Sequence, residues 1–401
     1  MLNTLTGAWR IPELRKKLMS TFFILLLYRV GSAITVPFVD TDAMTLYYDN
    51  NLANTILGLY NAMSGSAFSQ ASVLALGIQP YINSSIIIQL LTVAIPALER
   101  MAKEEGEEGK KKIDRITRFT TVGLGLLLGF AYYTMISNGG VLTSDATGFL
   151  PGLVIVLAFA AGSSVVMWMG EQITEFGIGN GISMILFANI ISGIPATIGT
   201  MSMLPWWVVV IAVVVIVALT VFIVFINDAE RRIQIQYAKR VVGRKVYGGQ
   251  STNLPIKVSM SGVMPVIFAQ SICSIPATIC AFIGVNDGWW YENVFSSNSI
   301  IYAIFYGLMI FFFSWFYSTI QYDPVEIANN LKKNGGFIPG FRPGRPTADF
   351  IQKVINKILI FGAVYLAIGG TSAIIVVGVA LETVKALEAQ MLMRHYKGFL
   401  D

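Results

Sequence analysis

The sequence predicts an all-α protein that crosses a membrane many times. Of its 401 residues 55% are apolar and only 13% charged, where soluble domains carry roughly 25% charged residues. Several apolar stretches run to about 20 residues, the length that crosses ~30 Å of hydrocarbon. The basic residues fall into a few blocks separated by stretches that contain none.

Those blocks set the topology. Twenty-seven of the 28 Lys and Arg lie in 1–17, 97–118, 227–258, 321–357 and the tail after 381. Short basic loops stay cytoplasmic, so all five segments are expected in the cytoplasm. The connections 39–74, 137–149, 195–205 and 286–299 carry no Lys or Arg and are expected outside. Spans then fall near 18–38, 75–95, 119–136, 150–169, 181–200, 206–226, 262–285 and 300–320. Parity makes 170–180 cytoplasmic, although it holds Glu171 and Glu175 and no cation. The first apolar run keeps its basic flank and lacks a small-residue cleavage site, so it reads as a span and not a removed signal.

The C-terminal region does not close as simply. Residues 358–381 suffice for one span, yet basic segments flank both sides. Two crossings need roughly 40 residues. Either the tail lies outside against its charge, or a ninth and a tenth helix are joined by an outer loop that the chain lacks. The second account is preferred.

The same composition excludes much chemistry. The single histidine, His395, sits near the C-terminus, which nearly excludes histidine metal sites and general bases. Cys273 and Cys280 are seven apart in an apolar helix, roughly 10 Å between Cα atoms and too far for a disulfide. No phosphate-loop signature G-x-x-x-x-G-K-[ST] occurs. Arg29 is the only isolated charge inside an apolar run, and no chain of buried carboxylates suggests a proton relay.

Two spans are unusually polar. The run 75–95 carries Pro80, Asn83, Ser84, Ser85 and Gln89, and 262–285 carries Pro265, Gln270, Ser271 and Ser274. Such residues face other helices or a wet cavity. Both runs share the pattern G-x-x-P-x-I, at Gly77–Ile82 and Gly262–Ile267. Each is the second of five spans, and the two enter from opposite sides, the signature of an inverted repeat.

Two kinds of connection remain open to alternatives. The outer connection 39–74 is mildly apolar and rich in Gly and Ser, as at 57–68; it reads as a short helix tucked back into the protein, or as a surface loop. In the loop 227–258 polar and apolar residues alternate like a hairpin arm, and 321–357 holds Gly and Pro turns that present arginines. These loops either dock an acidic surface or RNA backbone, the favoured reading, or merely fix topology.

Several stretches together resemble one family: LGIQPYINSSIIIQ (76–89), GIGNGIS (177–183), QSTNLPIK (250–257), FIPGFRPG (337–344), GGTS (369–372) and LMRH (392–395). They resemble the SecY family, the channel subunits of the bacterial protein translocase, in order along nearly the whole chain. The resemblance implies ten transmembrane helices in two inverted halves, spans 1–5 within 1–200 and spans 6–10 within 201–401. It implies a bacterial cytoplasmic-membrane location with both termini in the cytoplasm, and no catalytic residue, cofactor or metal.

By the same resemblance, Ile82, Ile86, Ile182, Leu186, Ile267 and Ile375 form an apolar pore ring, and 56–72 is a plug beneath it. Spans 2 and 7 form a lateral gate whose seam carries Asn83, Ser85 and Gln270. Arg342 matches the arginine that engages the SecA motor, and Arg240, Arg244, Lys245, Lys332 and Lys333 match positions that meet SecA or the ribosome. SecE, SecG, membrane lipid and secretory precursor polypeptides complete the implied partners. One departure stands out: the family's ninth-span end and outer loop fall between Leu366 and Gly369, which here are only three residues apart. Two competing classes fare worse. A secondary transporter predicts intramembrane ion ligands and short cytoplasmic loops. An intramembrane enzyme needs paired Asp, His or a Ser–Lys dyad inside the spans.

Overall fold

A computed structural model of the chain describes residues 2–53, 55–103, 105–143, 148–237, 240–242, 245–247, 251–259, 262–283, 299–368 and 370–397. The helices before the first strand are α1 (Leu2–Arg10), α2 (Pro12–Ser32), α3 (Thr41–Asn51), α4 (Ile56–Ser64), α5 (Gln79–Ala94), α6 (Pro96–Lys103), α7 (Gly106–Asn138), α8 (Phe149–Phe176), α9 (Gly181–Ser192), α10 (Ile194–Met201) and α11 (Trp206–Asp228). Four strands follow: β1 (Glu230–Tyr237), β2 (Arg240–Val242), β3 (Lys245–Tyr247) and β4 (Ser251–Lys257). The chain continues through α12 (Met264–Ile283), α13 (Ile300–Gln321), α14 (Pro324–Lys333), β5 (Gly336–Phe337), α15 (Arg345–Ile368) and α16 (Thr371–Lys397).

Local chemistry sets many of these boundaries. The Asp40 carboxylate accepts from the amides of Asp42 and Ala43 at 3.0 and 3.2 Å and starts α3. Asp323 starts α14 in the same way. Pro96 stops α5, and the chain bends by 106° into α6. Among the described residues five helices are long and apolar enough to cross a membrane, or up to seven if each bent pair is one span. Sequence boundaries shift where charged flanks carry the helix past the apolar run. Thus α7 begins at Gly106, thirteen residues before the expected 119, and α8 continues to Phe176. The expected span 75–95 is helical only from Gln79, because 65–78 are turns.

The chain divides into two compact units: Met1–Val210 with Gln270–Ile304 and Val379–Asp401, and Ile211–Ala269 with Phe305–Gly378. The first unit is built on a buried aromatic cluster. Phe68 lies 5.2 Å from Tyr60 and 4.7 Å from Tyr132, which in turn lies 4.7 Å from Phe159. Around it pack Met44, Leu52, Leu57, Leu76 and Ile155. The Tyr132 hydroxyl donates to the Phe68 carbonyl, so the only polar atom of that ring is satisfied. Beside this core α7 and α8 touch backbone to backbone. A Cβ on Gly129 would sit 3.1 Å from the Val156 carbonyl oxygen, and one on Gly125 2.7 Å from Ser163 Oγ. Small residues four apart permit that approach in lipid. At the charged end of the pair Arg118 Nε bonds Glu171 Oε1 at 2.8 Å. This contact puts the basic segment 97–118 and the start of the 170–180 connection on one side, as parity requires.

The second unit carries an antiparallel sheet of order β4–β1–β5, with Ile233 opposite Leu254 and Gln236 opposite Phe337. Ile233 and Ile256 are buried against Ile351, Ile355 and Leu359, which recur every four residues along α15. The apolar run 358–381 is divided between α15 and α16. Gly370, at φ +74°, stands immediately before α16, and the helix pair is bent by 119°. Each helix therefore takes only part of the run, and by length and composition the bent pair makes at most one span.

Phe68→Ala removes the centre of the aromatic cluster and is expected to cost about 3–5 kcal/mol. Phe119→Ala, at a side chain 73% exposed, should stay within ~0.5 kcal/mol. Denaturant unfolding of the two variants in detergent micelles measures the contrast.

Candidate pore and gate

The two G-x-x-P-x-I motifs build the same local structure. Gly77 and Gly262 sit at φ +53° and +61°, where a side chain is strained. Each stands two residues before a helix, and each proline falls at the second helical position. There its missing N–H is no loss and its fixed φ suits the first turn. The fourth helical residue is then Ile82 in α5 and Ile267 in α12. Leu186 and Ile375 also lie within the first two turns of their helices, and Ile86 stands one turn beyond Ile82. Ile182 is the second residue of α9, whose start is capped by the Asn180 carboxamide oxygen accepting from the amides of Ile182 and Ser183 at 3.0 and 3.4 Å. Ile82, Ile86, Leu186, Ile267 and Ile375 are buried, and Ile182 is half-buried. Ile82, Ile86, Ile182 and Leu186 belong to the first unit, Ile267 and Ile375 to the second.

The segment 56–72 is not a loose loop. It holds α4 and the turns after it, with Leu57, Tyr60, Met63, Ala67 and Phe68 buried. A set of polar side chains pins it. Asn189 Nδ2 donates to the Met63 carbonyl at 2.7 Å and to the Tyr28 hydroxyl at 2.9 Å. Arg29 Nη1 donates to the Gly65 carbonyl at 2.9 Å, at the C-terminal end of α4 where a cation is favoured. Gln79 Nε2 donates to Met63 Sδ at 3.5 Å, and Gln270 Nε2 donates to the same sulfur. Ser271 Oγ donates to Gln79 Oε1 at 3.2 Å, joining α12 directly to α5. Burial pushes the Tyr60 phenol well above its usual pKa, so it stays a neutral donor to the Leu76 carbonyl at 3.0 Å.

Of the three gate residues expected from sequence, only Gln270 takes part in this network. Ser85 accepts from Gln89 along its own helix at 3.3 Å. Asn83 Oδ1, Ser84 Oγ and Gln270 Oε1 are buried with no hydrogen-bond partner among the described residues. Sequence reasoning missed Asn189, Gln79, Tyr28 and Met63. Asn189 was available as the one amide inside the apolar stretch 181–200. Met63 carried no signal, since its role lies in its lone pairs and its position.

The basic residues sit on separate elements of the second unit. Lys332 and Lys333 are exposed in the last turn of α14. Arg342 is exposed in a turn bracketed by Gly340 and Gly344 at φ +88° and +107°, and its carbonyl accepts from Thr347 Oγ1 at 2.8 Å. Arg240 and Lys245 stand on the hairpin β2–β3, paired to Tyr247 and Val242. Arg244 and residues 286–298, most of the connection expected outside, lie outside the described residues.

A family model described as SecY matches residues 72–384. The protein translocase subunit SecY of Streptomyces galbus is 43% identical, with all of both chains covered. That of Thermotoga maritima is 39% identical, over all of this chain and 98% of its own. The Streptomyces alignment runs over 443 positions against the 401 residues here, so about 42 internal positions of the relative have no counterpart. In fold the chain is similar to a solved protein conducting channel, with TM-score 0.64 over 94% of this chain and 92% of that one at 17% identity. It is also similar to Sec61 from the canine ribosome-channel complex, with TM-score 0.61 at 16% identity over 94% and 92%. The chain belongs to the SecY family and is a multi-pass membrane protein.

Proposed function

We propose that the chain is a protein-conducting channel that passes unfolded secretory polypeptides across the membrane. It releases signal sequences and transmembrane segments sideways into lipid between α5 and α12. The observation that carries this reading is the polar seam between those helices. Gln79, Gln270 and Ser271 tie α5 to α12, and two of them hold Met63 of the segment 56–72. Lipid-facing helices do not bury amides without partners. A seam with unsatisfied Asn83, Ser84 and Gln270 oxygens suits surfaces that separate and admit water or peptide.

In this mechanism Ile82, Ile86, Ile182, Leu186, Ile267 and Ile375 act as a narrow apolar collar. Such a collar resists ion leakage by dewetting, because it offers no group to replace the hydration shell. It touches any polypeptide without sequence preference. The segment 56–72 closes the collar from the outer side. The matching glycine–proline helix starts of α5 and α12 support two inverted halves, 1–200 and 201–401, with five spans each. The chain supplies no catalytic group and needs no cofactor; a motor ATPase, the ribosome or the proton gradient drives transport. Arg342, Arg240, Arg244, Lys245, Lys332 and Lys333 form the cytoplasmic docking face for SecA or the ribosome. SecE and SecG complete the complex in the bacterial cytoplasmic membrane, with both termini of this chain in the cytoplasm.

A photo-crosslinking side chain at Ile267, in membranes carrying a stalled secretory precursor, tests the collar. The expected result is an adduct that requires a functional signal sequence; adducts confined to the cytoplasmic loops contradict it. Asn189→Leu tests the closure. Interhelical hydrogen bonds in membranes contribute about 0.6–1.7 kcal/mol, so ion leak through reconstituted vesicles should rise roughly 3- to 20-fold. An unchanged leak removes the plug role from 56–72.

A further inference from the structure

Where the sheet of the second unit hands the chain on to α12, a hydroxyl is buried without a protein partner. Ser314, in the second half of α13, is 1% exposed, and its Oγ has no hydrogen-bond partner among the described residues. A serine or threonine inside a helix ordinarily donates to a carbonyl one turn back. Thr319 does so on this same helix, to the Trp315 carbonyl at 2.9 Å. Ser314 instead lines a small cavity with Val258 and Ser259, which follow β4, and with Leu359, Gly362 and Leu366 of α15. All of these residues belong to the second unit.

The size of the cavity and its polar groups suit one occupant. It offers about 10 Å³ to the centre of a water molecule, close to the least volume that holds one. A wholly apolar cavity stays dry, but a water with two or more polar partners is retained. A Cβ on Gly362 would lie 2.9 Å from the Val258 carbonyl oxygen. That spot is too close for a carbon atom, yet it is a hydrogen-bond length for an oxygen. The absent side chain at Gly362 thus opens a place where the Val258 carbonyl faces a donor, and Ser314 lines the same space.

We propose that this cavity binds a single water molecule as a structural part of the protein. The water donates to the Val258 carbonyl oxygen and accepts from the Ser314 hydroxyl. Val258 is fixed from its other side, its amide donating to the Ala229 carbonyl at 2.9 Å. The water therefore fastens α13 to the linker between β4 and α12, in which Gly262 is left-handed at φ +61°. A larger residue at 362 cannot make the same joint, because its Cβ meets the carbonyl that the water holds.

The test irradiates the full-length protein in detergent micelles with a brief synchrotron pulse in heavy-oxygen water. Radiolysis of a bound water oxidises the side chains beside it, and peptide mass spectrometry maps the added oxygen. Leu359 and Leu366, both buried, are expected to take it up. Their labelling should fall about tenfold in Gly362→Ala, whose methyl group takes the place of the water. Ser314→Ala is the second arm. Alanine is the better helix former and removes a buried hydroxyl, so with a dry cavity this variant would gain stability. With the water bound it loses a hydrogen bond, and its unfolding constant in denaturant should rise about 2- to 10-fold. Equal labelling of Leu359 and Leu366 in wild type and Gly362→Ala overturns the proposal. So does a Ser314→Ala chain at least as stable as wild type. Should Gly362→Ala fail to fold, the sign of the Ser314→Ala change decides alone.

Discussion

Met63 is where four helices meet through side-chain hydrogen bonds, and the packing of the first unit depends on that convergence. Its carbonyl takes Asn189 from α9, which also holds Tyr28 of α2. Its sulfur takes Gln79 from α5 and Gln270 from α12. In hydrocarbon an amide without a partner costs several kcal/mol, so these side chains hold each other in place as much as they hold Met63. A thioether is a weak acceptor. It accepts from two amides, and in the proposed mechanism so weak an acceptor gives them up to a better one, such as a peptide carbonyl.

This chemistry joins two events in one set of bonds. Moving α12 away from α5 breaks Ser271–Gln79 and withdraws Gln270 from Met63. In the proposed mechanism the segment 56–72 is then held to α9 and α2 by Asn189 and Arg29 without support from α12, and those bonds give way next, so that α4 leaves α9. The aromatic cluster around Phe68 anchors the far end of the segment, so the release we propose is a hinge about a fixed base and not an unfolding.

Most of the helix content was legible in the sequence, because apolar runs and blocks of Lys and Arg report directly on burial in lipid. The matching helix starts were legible too, since Gly77 and Gly262 each need a left-handed turn before a proline-led helix. What the sequence hid were partners. Asn83 buries an unpartnered oxygen and Ser85 bonds its own helix, which residue type alone does not reveal. The bonds across the seam come from Gln79 and Ser271, which differ from their neighbours only in the direction they face. Around 358–381 the count of apolar residues left one span or two helices open, because it cannot register a corner; Gly370, left-handed just before the second helix, was its mark.

The most direct test locks the gate and watches the plug. Gln79→Cys with Ser271→Cys can be joined by oxidation, while spin labels at Ala62 and Ile191 report the distance from α4 to α9. On adding a signal peptide the account predicts that the labels separate in the reduced protein and stay together in the oxidised one. Equal separation in both states would show that the segment 56–72 moves independently of the α5–α12 seam, and the coupling through Met63 would be wrong.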